Sequence, residues 1–330
     1  MKIETILEKL KKNTDVSFLE DMPIELRSDY EFFMNVVQLH GGTLQYASEK
    51  IKSDKRVVLE SIKSNDFNVK SGLVNESFIL YASESLLNDR SFILEAIAIN
   101  GKIYKFLKNE FKNDIEIINN SIENNPTVYE YLDDIYKSNL DIAKKAISLN
   151  PYKLSYAPDE IKNNKEIIIC AVQKSPGSIE FASDSLKSDF EIAKLLVMPN
   201  ENHPYGKPRA IQYLSSSILL DEIMFSKLLE INPKILQIDD LYEVFRKFAD
   251  QFFLNEDYIR AIETYQKAFK LKEAGLFLFN IAICYEKLND FENAILYMKQ
   301  CYELRIKNNS TKASINEALK KIKQYQKTLK

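Results

Sequence analysis

The chain has 330 residues, 45% of them apolar and 28% charged, with a formal charge of −3. That balance is ordinary for a globular protein with room for two domains, and the charge implies no polyanion partner overall. Seven glycines and no tryptophan disfavour hairpin-rich sheets and any glycine-rich phosphate loop.

Ile3, Ile6, Leu7 and Leu10 fall at helical spacing, so the N-terminus reads as an amphipathic capping helix. Met1 to Lys12 has no apolar stretch of signal-peptide length, and no apolar run of the chain reaches membrane-spanning length. The expected compartment is the cytoplasm, with export by a route that leaves no N-terminal mark as the alternative.

A phrase then recurs with a step of 25 residues. Its aromatic anchor falls at Tyr46, Tyr81, Phe106, Tyr131, Tyr156, Phe181 and Tyr213, after an eroded copy centred on Asp21. Such a fixed step marks stacked supersecondary units. Eight residues after each anchor stands Asp or Asn: Asp29, Asp54, Asp89, Asp114, Asn139, Asn164, Asp189, Asp221. These are N-cap residues, because their side chains accept from the free N–H groups of a first helical turn. Asn often stands nineteen after the anchor, and Gly101, Pro126, Pro151, Pro176 or Pro233 comes next. Asn ends one helix and Pro opens another. Each unit is therefore expected to hold a short first helix carrying the aromatic, a tight turn and a capped second helix. Pro23 and Pro158 break any continuous helix through the turn. The anchor lies beside a small residue (Ala47, Ala82, Ala157, Ala182), which reads as core packing and not as a stacking ladder for bases.

Two inserts interrupt the array, near Asp66 to Ser77 and at Pro199 to Pro208, and both read as surface loops. The unit resembles a family of helical repeats known as a domain of unknown function, whose members read Leu-x-Tyr-Ala-Ser-Glu-x-Leu-x-x-Asp. Leu44 to Asp54, Leu80 to Asp89 and Ile179 to Asp189 carry the resemblance most clearly. It implies an all-helical array over about residues 15 to 233.

After Asp239 the period changes. Phe245, Ala249, Phe252, Ala261, Tyr265 and Ala268 are followed about 33 residues later by Leu278, Ala282, Tyr285, Ala294, Met298 and Cys301. Large, small and aromatic residues at these spacings resemble the tetratricopeptide repeat. Departures are Phe245 for the usual Trp, Ala for the usual Gly, and Glu273 for the usual Pro. The resemblance implies a groove on the first helices that takes an extended peptide. The candidate groove residues are Arg246, Asp250, Phe253, Leu276, Phe279, Asn280 and Ile283. Arg246 and Asn280 match two positions of the family's clamp for a C-terminal carboxylate, but Asp250 replaces an Asn and would repel one. The apolar strip Phe253, Leu276, Phe279, Ile283 is either covered within the chain or laid against a partner.

A last helix runs from about Ser310 to Lys330 with Ile315, Leu319, Ile322 and Leu329 on one face. Eight basic residues against Glu317 alone lie between Arg305 and Lys330, read as the solvated side of a capping helix.

The fold expected is thus all-α: an α-solenoid of about eight two-helix units of 25 residues in 1–238, then two tetratricopeptide-like units and a capping helix in 239–330. Charge divides mildly, about −6 and about +3 between these parts. Cys170, Cys284 and Cys301 sit at core-like helical positions and read as buried thiols. His40 and His203 lie far apart, and no metal, cofactor or nucleophile motif is present. A non-enzymatic scaffold for a polypeptide partner is the first reading, with no cofactor and no membrane contact. The alternatives are an enzyme or exported effector whose site has no recognisable motif, and an RNA-binding helical repeat, which the acidic array disfavours. Oligomeric state is open.

Overall fold

The computed structural model describes residues 3–12, 16–64, 75–198, 208–238 and 241–329. Every regular element among them is helical. The chain folds as two compact units, Met1–Lys174 and Ser175–Lys330; the change of repeat type near Asp239 lies inside the second. Most of each insert, residues 65–74 and 199–207, and His203 with it, lies outside the described residues.

In the first unit the 25-residue phrase builds three pieces. A 3-10 helix comes first, as at Gly101–Phe106, Pro126–Tyr131 and Pro151–Tyr156. A one-turn α-helix follows, as at Asn109–Lys112, Asp134–Lys137 and Asp159–Lys162. A longer helix closes the repeat, as at Ile115–Asn124, Leu140–Leu149 and Lys165–Lys174. The expected first helix is therefore two helices. Two extended residues separate them, such as Ala157 and Pro158 with ψ of 148° and 166°.

The caps follow the sequence. All eight predicted Asp and Asn residues accept from backbone N–H groups of the long helix they precede. Asp189→Ala is expected to cost ~1 kcal/mol by removing such a cap; a thermal midpoint equal to wild type would contradict the repeat register. The Asn residues that end the long helices have a second task. Asn100, Asn125, Asn150 and Asn232 each accept from the N–H two residues on, capping the next 3-10 helix.

The core of the first unit is a stripe repeated on each long helix, such as Phe92, Ile93, Ala96, Ile97 and Ile117, Ile118, Ser121, Ile122. Successive long helices pack on one another through it. Its small third member marks a close approach: a Cβ added at Gly101 would lie 2.4 Å from the backbone oxygen of Ser121. Salt bridges between neighbouring repeats run along the surface, as from Arg90 to Asp114 at 2.7 Å, where solvent screening leaves such pairs little net weight.

The anchor aromatics are not core, contrary to the sequence expectation. Tyr131 and Tyr156 are 47% and 48% exposed, and Tyr46, Tyr81 and Phe106 are half-buried. The two residues three and two before each anchor are the buried ones: Thr43 and Leu44, Phe78 and Ile79, Ile103 and Tyr104, Val128 and Tyr129, Lys153 and Leu154. The anchor is the last residue of its 3-10 helix and lies past this buried pair, at the end where the chain turns into the one-turn helix. Lysines lie over the exposed rings, with the Lys105 ammonium 4.8 Å from Phe106 and 5.8 Å from Tyr131.

The second unit holds repeats anchored at Phe181 and Tyr213, then five longer helices: α1 (Leu241–Leu254), α2 (Tyr258–Leu271), α3 (Gly275–Lys287), α4 (Phe291–Lys307) and α5 (Lys312–Thr328). Each packs on the next. Their connections place Glu256, Asn289 and Asn309 at positive φ, the left-handed conformation that ends a helix. The last repeat helix, Glu222–Ile231, meets α1 through Phe225 edge-on to Phe245. Ala249, Ala261, Ala282 and Ala294 are fully buried between the paired helices, as the tetratricopeptide spacing requires. Ala261→Leu is expected to cost ~1–3 kcal/mol by overpacking; an unchanged melting curve would mean that α1 and α2 are not close there.

Two sequence expectations need correction here. The inward face of α5 is Ala318, Ile322 and Tyr325, while Ile315 and Leu319 are half-buried and Leu329 is exposed beyond the helix end. The cysteines are not alike either: Cys284 and Cys301 are buried, but Cys170 is half-exposed.

Candidate functional site

Residues of α1 and α3, together with Tyr265 of α2, line an open groove of about 290 Å³. Asp250, Phe253, Leu254, Tyr265, Asn280 and Ile283 line it. Phe253 stands edge-on to Tyr258, with ring centroids 5.5 Å apart, so its ring is braced from behind. Leu254 is 74% exposed. No residue of α5 lines the groove; that helix covers instead the cluster around Leu278, Ala282 and Met298.

One wall is a chain of charged and polar groups. Arg246 Nε donates to Glu243 at 2.7 Å and Arg246 Nη1 to Asp250 Oδ2 at 2.5 Å. Tyr265 Oη donates to Asp250 Oδ1 at 2.5 Å. The i, i+3 and i+4 spacing on α1 puts Glu243, Arg246 and Asp250 on one face. Hydrogen bonding to Glu243 and the Asp250 charge hold the Arg246 guanidinium protonated even more firmly than usual. Burial first, and then donation to the Asp250 carboxylate, push the Tyr265 hydroxyl well above the ordinary tyrosine range. The tyrosine therefore stays a neutral donor.

Of the seven candidate residues, Asp250, Phe253, Asn280 and Ile283 come together in this groove, and Arg246 stands against it through its bond to Asp250. Leu276, 49% exposed, and Phe279 lie outside the lining. The Phe279 ring carries the Arg305 guanidinium 4.8 Å from its centre, so it belongs to the joint between α3 and α4. Sequence reasoning did not select Tyr265 or Leu254. In the sequence Tyr265 stands only as one of the tetratricopeptide-like spacing residues, and its hydroxyl reaching Asp250, fifteen residues away, reveals the second role.

Among the described residues, no group of three or more His, Cys, Asp or Glu side chains is placed to hold a metal ion. His40 contacts the Leu10 carbonyl at 2.9 Å through Nε2. Burial pushes the Cys284 and Cys301 thiols up to about 12 and about 11, away from reactivity. A second cavity of about 280 Å³ near Ser216 and Lys267 balances Arg260 and Lys267 against Asp221 and Glu263. Its lysine is already bonded to the Leu220 carbonyl at 2.8 Å. No helix among the described residues is long and apolar enough to cross a membrane.

Comparison with known families agrees with the two repeat types. The model of a domain of unknown function, DUF4116, matches residues 29–70, 74–112, 89–137, 139–187 and 164–205. The model of the tetratricopeptide repeat matches residues 277–308, the second of the two units. No curated protein matches the chain.

Proposed function

Since the chain belongs to the DUF4116 family and carries a tetratricopeptide repeat after its array, a repeat type associated with protein interaction, we propose that it is a non-enzymatic scaffold holding a polypeptide partner in the groove between α1 and α3. The observation that carries the reading is an apolar groove left open beside a hydrogen-bonded polar wall. An exposed apolar strip with a satisfied polar rim is the usual anatomy of a contact site. On this reading the boundary near residue 238 separates a spacer array from a partner-binding segment. The buried thiols suit a reducing compartment such as the cytoplasm.

The test is capture of interacting polypeptides by the full chain and by a Phe253→Glu, Ile283→Glu double variant, with circular dichroism on both. The expected result is a partner retained by wild type and lost from the folded variant. Equal capture by both would move the site elsewhere.

One observation favours a second reading. The half-exposed aromatic row of the first unit offers ring faces of the kind single-stranded nucleic acid stacks on. Against it, exposed Asp134, Asp159 and Glu160 follow Tyr131 and Tyr156 by three or four residues and would repel phosphates. Recovery of RNA in place of protein in the same capture would reverse the order of the two readings.

A further inference from the structure

Resting on the reading of the groove as a peptide site, we infer that its occupant is an apolar side chain with a lysine or arginine beside it, and that a C-terminal carboxylate is refused. The groove's volume, about 290 Å³, is room for one large side chain. Phe253, Leu254 and Ile283 supply its apolar lining. Asp250 is the one charged residue of that lining.

The neighbouring cation stands outside the lining and is already paired twice. Arg246 spends Nε on Glu243 and Nη1 on Asp250, and its side chain is only 30% exposed. Glu243 and Asp250 together outweigh it by one negative charge. Asp250 itself is 38% exposed. Each of its oxygens takes one donor from the protein, Arg246 on Oδ2 and Tyr265 on Oδ1. A carboxylate oxygen has two acceptor sites, so both oxygens can still accept from a partner's ammonium or guanidinium. An arriving carboxylate would meet Asp250 in the lining, while Arg246 lies outside it and is shared between two carboxylates, and like-charge contact across an interface is strongly unfavourable. The partner is therefore a segment in which a Leu, Ile, Met or Phe lies next to a basic residue.

A phage-displayed random dodecapeptide library panned on the full chain tests this, run in parallel on Asp250→Asn, Tyr265→Phe and the Phe253→Glu, Ile283→Glu variant. Wild type and Tyr265→Phe are expected to enrich apolar–basic pairs. Asp250→Asn should keep the apolar residue and lose the basic one. A synthetic peptide of the wild-type consensus should bind Asp250→Asn about tenfold more weakly at low salt, with the gap closing as salt rises. Its amidated and free-acid forms should bind wild type equally. Enrichment of apolar peptides with no basic preference, or binding that needs the free acid, would overturn the inference and leave the groove reading standing. Identical enrichment on wild type and the double variant would remove the groove reading and this inference together.

Discussion

Tyr129→Ala is expected to destabilise the middle of the first unit by ~3–5 kcal/mol, the range for deleting a buried aromatic side chain. Tyr129 is fully buried, and its 3-10 helix packs on the 3-10 helices before and after it and on the long helices Ile115–Asn124 and Leu140–Leu149. Its hydroxyl donates to the Lys137 carbonyl at 2.7 Å, closing the one-turn helix Asp134–Lys137. The residue thus sits buried in the 3-10 helix that meets both neighbouring repeats, and its hydroxyl ties in the one-turn helix. In a solenoid, stability is approximately a sum of repeat and nearest-neighbour terms, so the loss should be local before it is global. Amide exchange should accelerate in Ile115–Asn124 and Leu140–Leu149 first. Tyr129→Phe keeps the ring and should cost only ~1 kcal/mol, for the hydrogen bond. Uniform exchange in the alanine variant would mean that the array does not divide into repeats energetically.

The sequence showed this repeat but not its inner face, and Tyr129 and Tyr131 explain why. Both are tyrosines in one six-residue segment, and only the second recurs as an aromatic at every step from Tyr46 to Tyr213. Regularity drew attention to the exposed member, while the buried position varies between Leu, Ile and Tyr. A period locates equivalent residues; it does not say which of them face inward. That depends on helix type, and 3-10 and α geometry turn the same spacing to different sides. The caps were legible because Asp and Asn act within three residues of themselves, where no tertiary information is needed. The groove was legible only in part for the opposite reason. Leu276 and Phe279 share a helix with Asn280 and Ile283, yet the position of Arg305, 26 residues beyond Phe279, decides that Phe279 faces the α3–α4 joint.

Tyr325→Ala is the second large expected effect, again ~3–5 kcal/mol, and it should release α5 from the rest of the tetratricopeptide part. Tyr325 is fully buried, lies 6.1 Å from the Phe291 ring and donates to Glu286 Oε2 at 2.6 Å. Lys321 donates to the same carboxylate at 2.8 Å. Burial opposes ionisation of Glu286, but Lys321 and Tyr325 together hold its carboxyl below the usual range. Removing Tyr325 deletes one of those donors and opens Ala318 and Ile322 to water. Amide exchange of α5 should rise while α1 and α2 stay protected; equal protection of α5 in the variant would mean that it is held by contacts other than this one.

Tyr325 also sets a pH limit with Tyr265, Tyr104 and Tyr129. Burial raises all four phenols above their ordinary value of 10.0, and donation to carboxylates raises Tyr325 and Tyr265 further. Burial likewise raises the Cys284 and Cys301 thiols from 9.0. The folded state then holds protons that the unfolded chain gives up first, so stability falls with rising pH in that window. The stabilisation is complete below about pH 9 and is lost progressively as pH climbs through the thiol and then the phenol range. Thermal midpoints measured between pH 7 and pH 11 should stay level and then fall, and Tyr325→Phe should fall less steeply than wild type. A flat profile to pH 11 would show that these hydroxyls and thiols reach solvent in the folded protein.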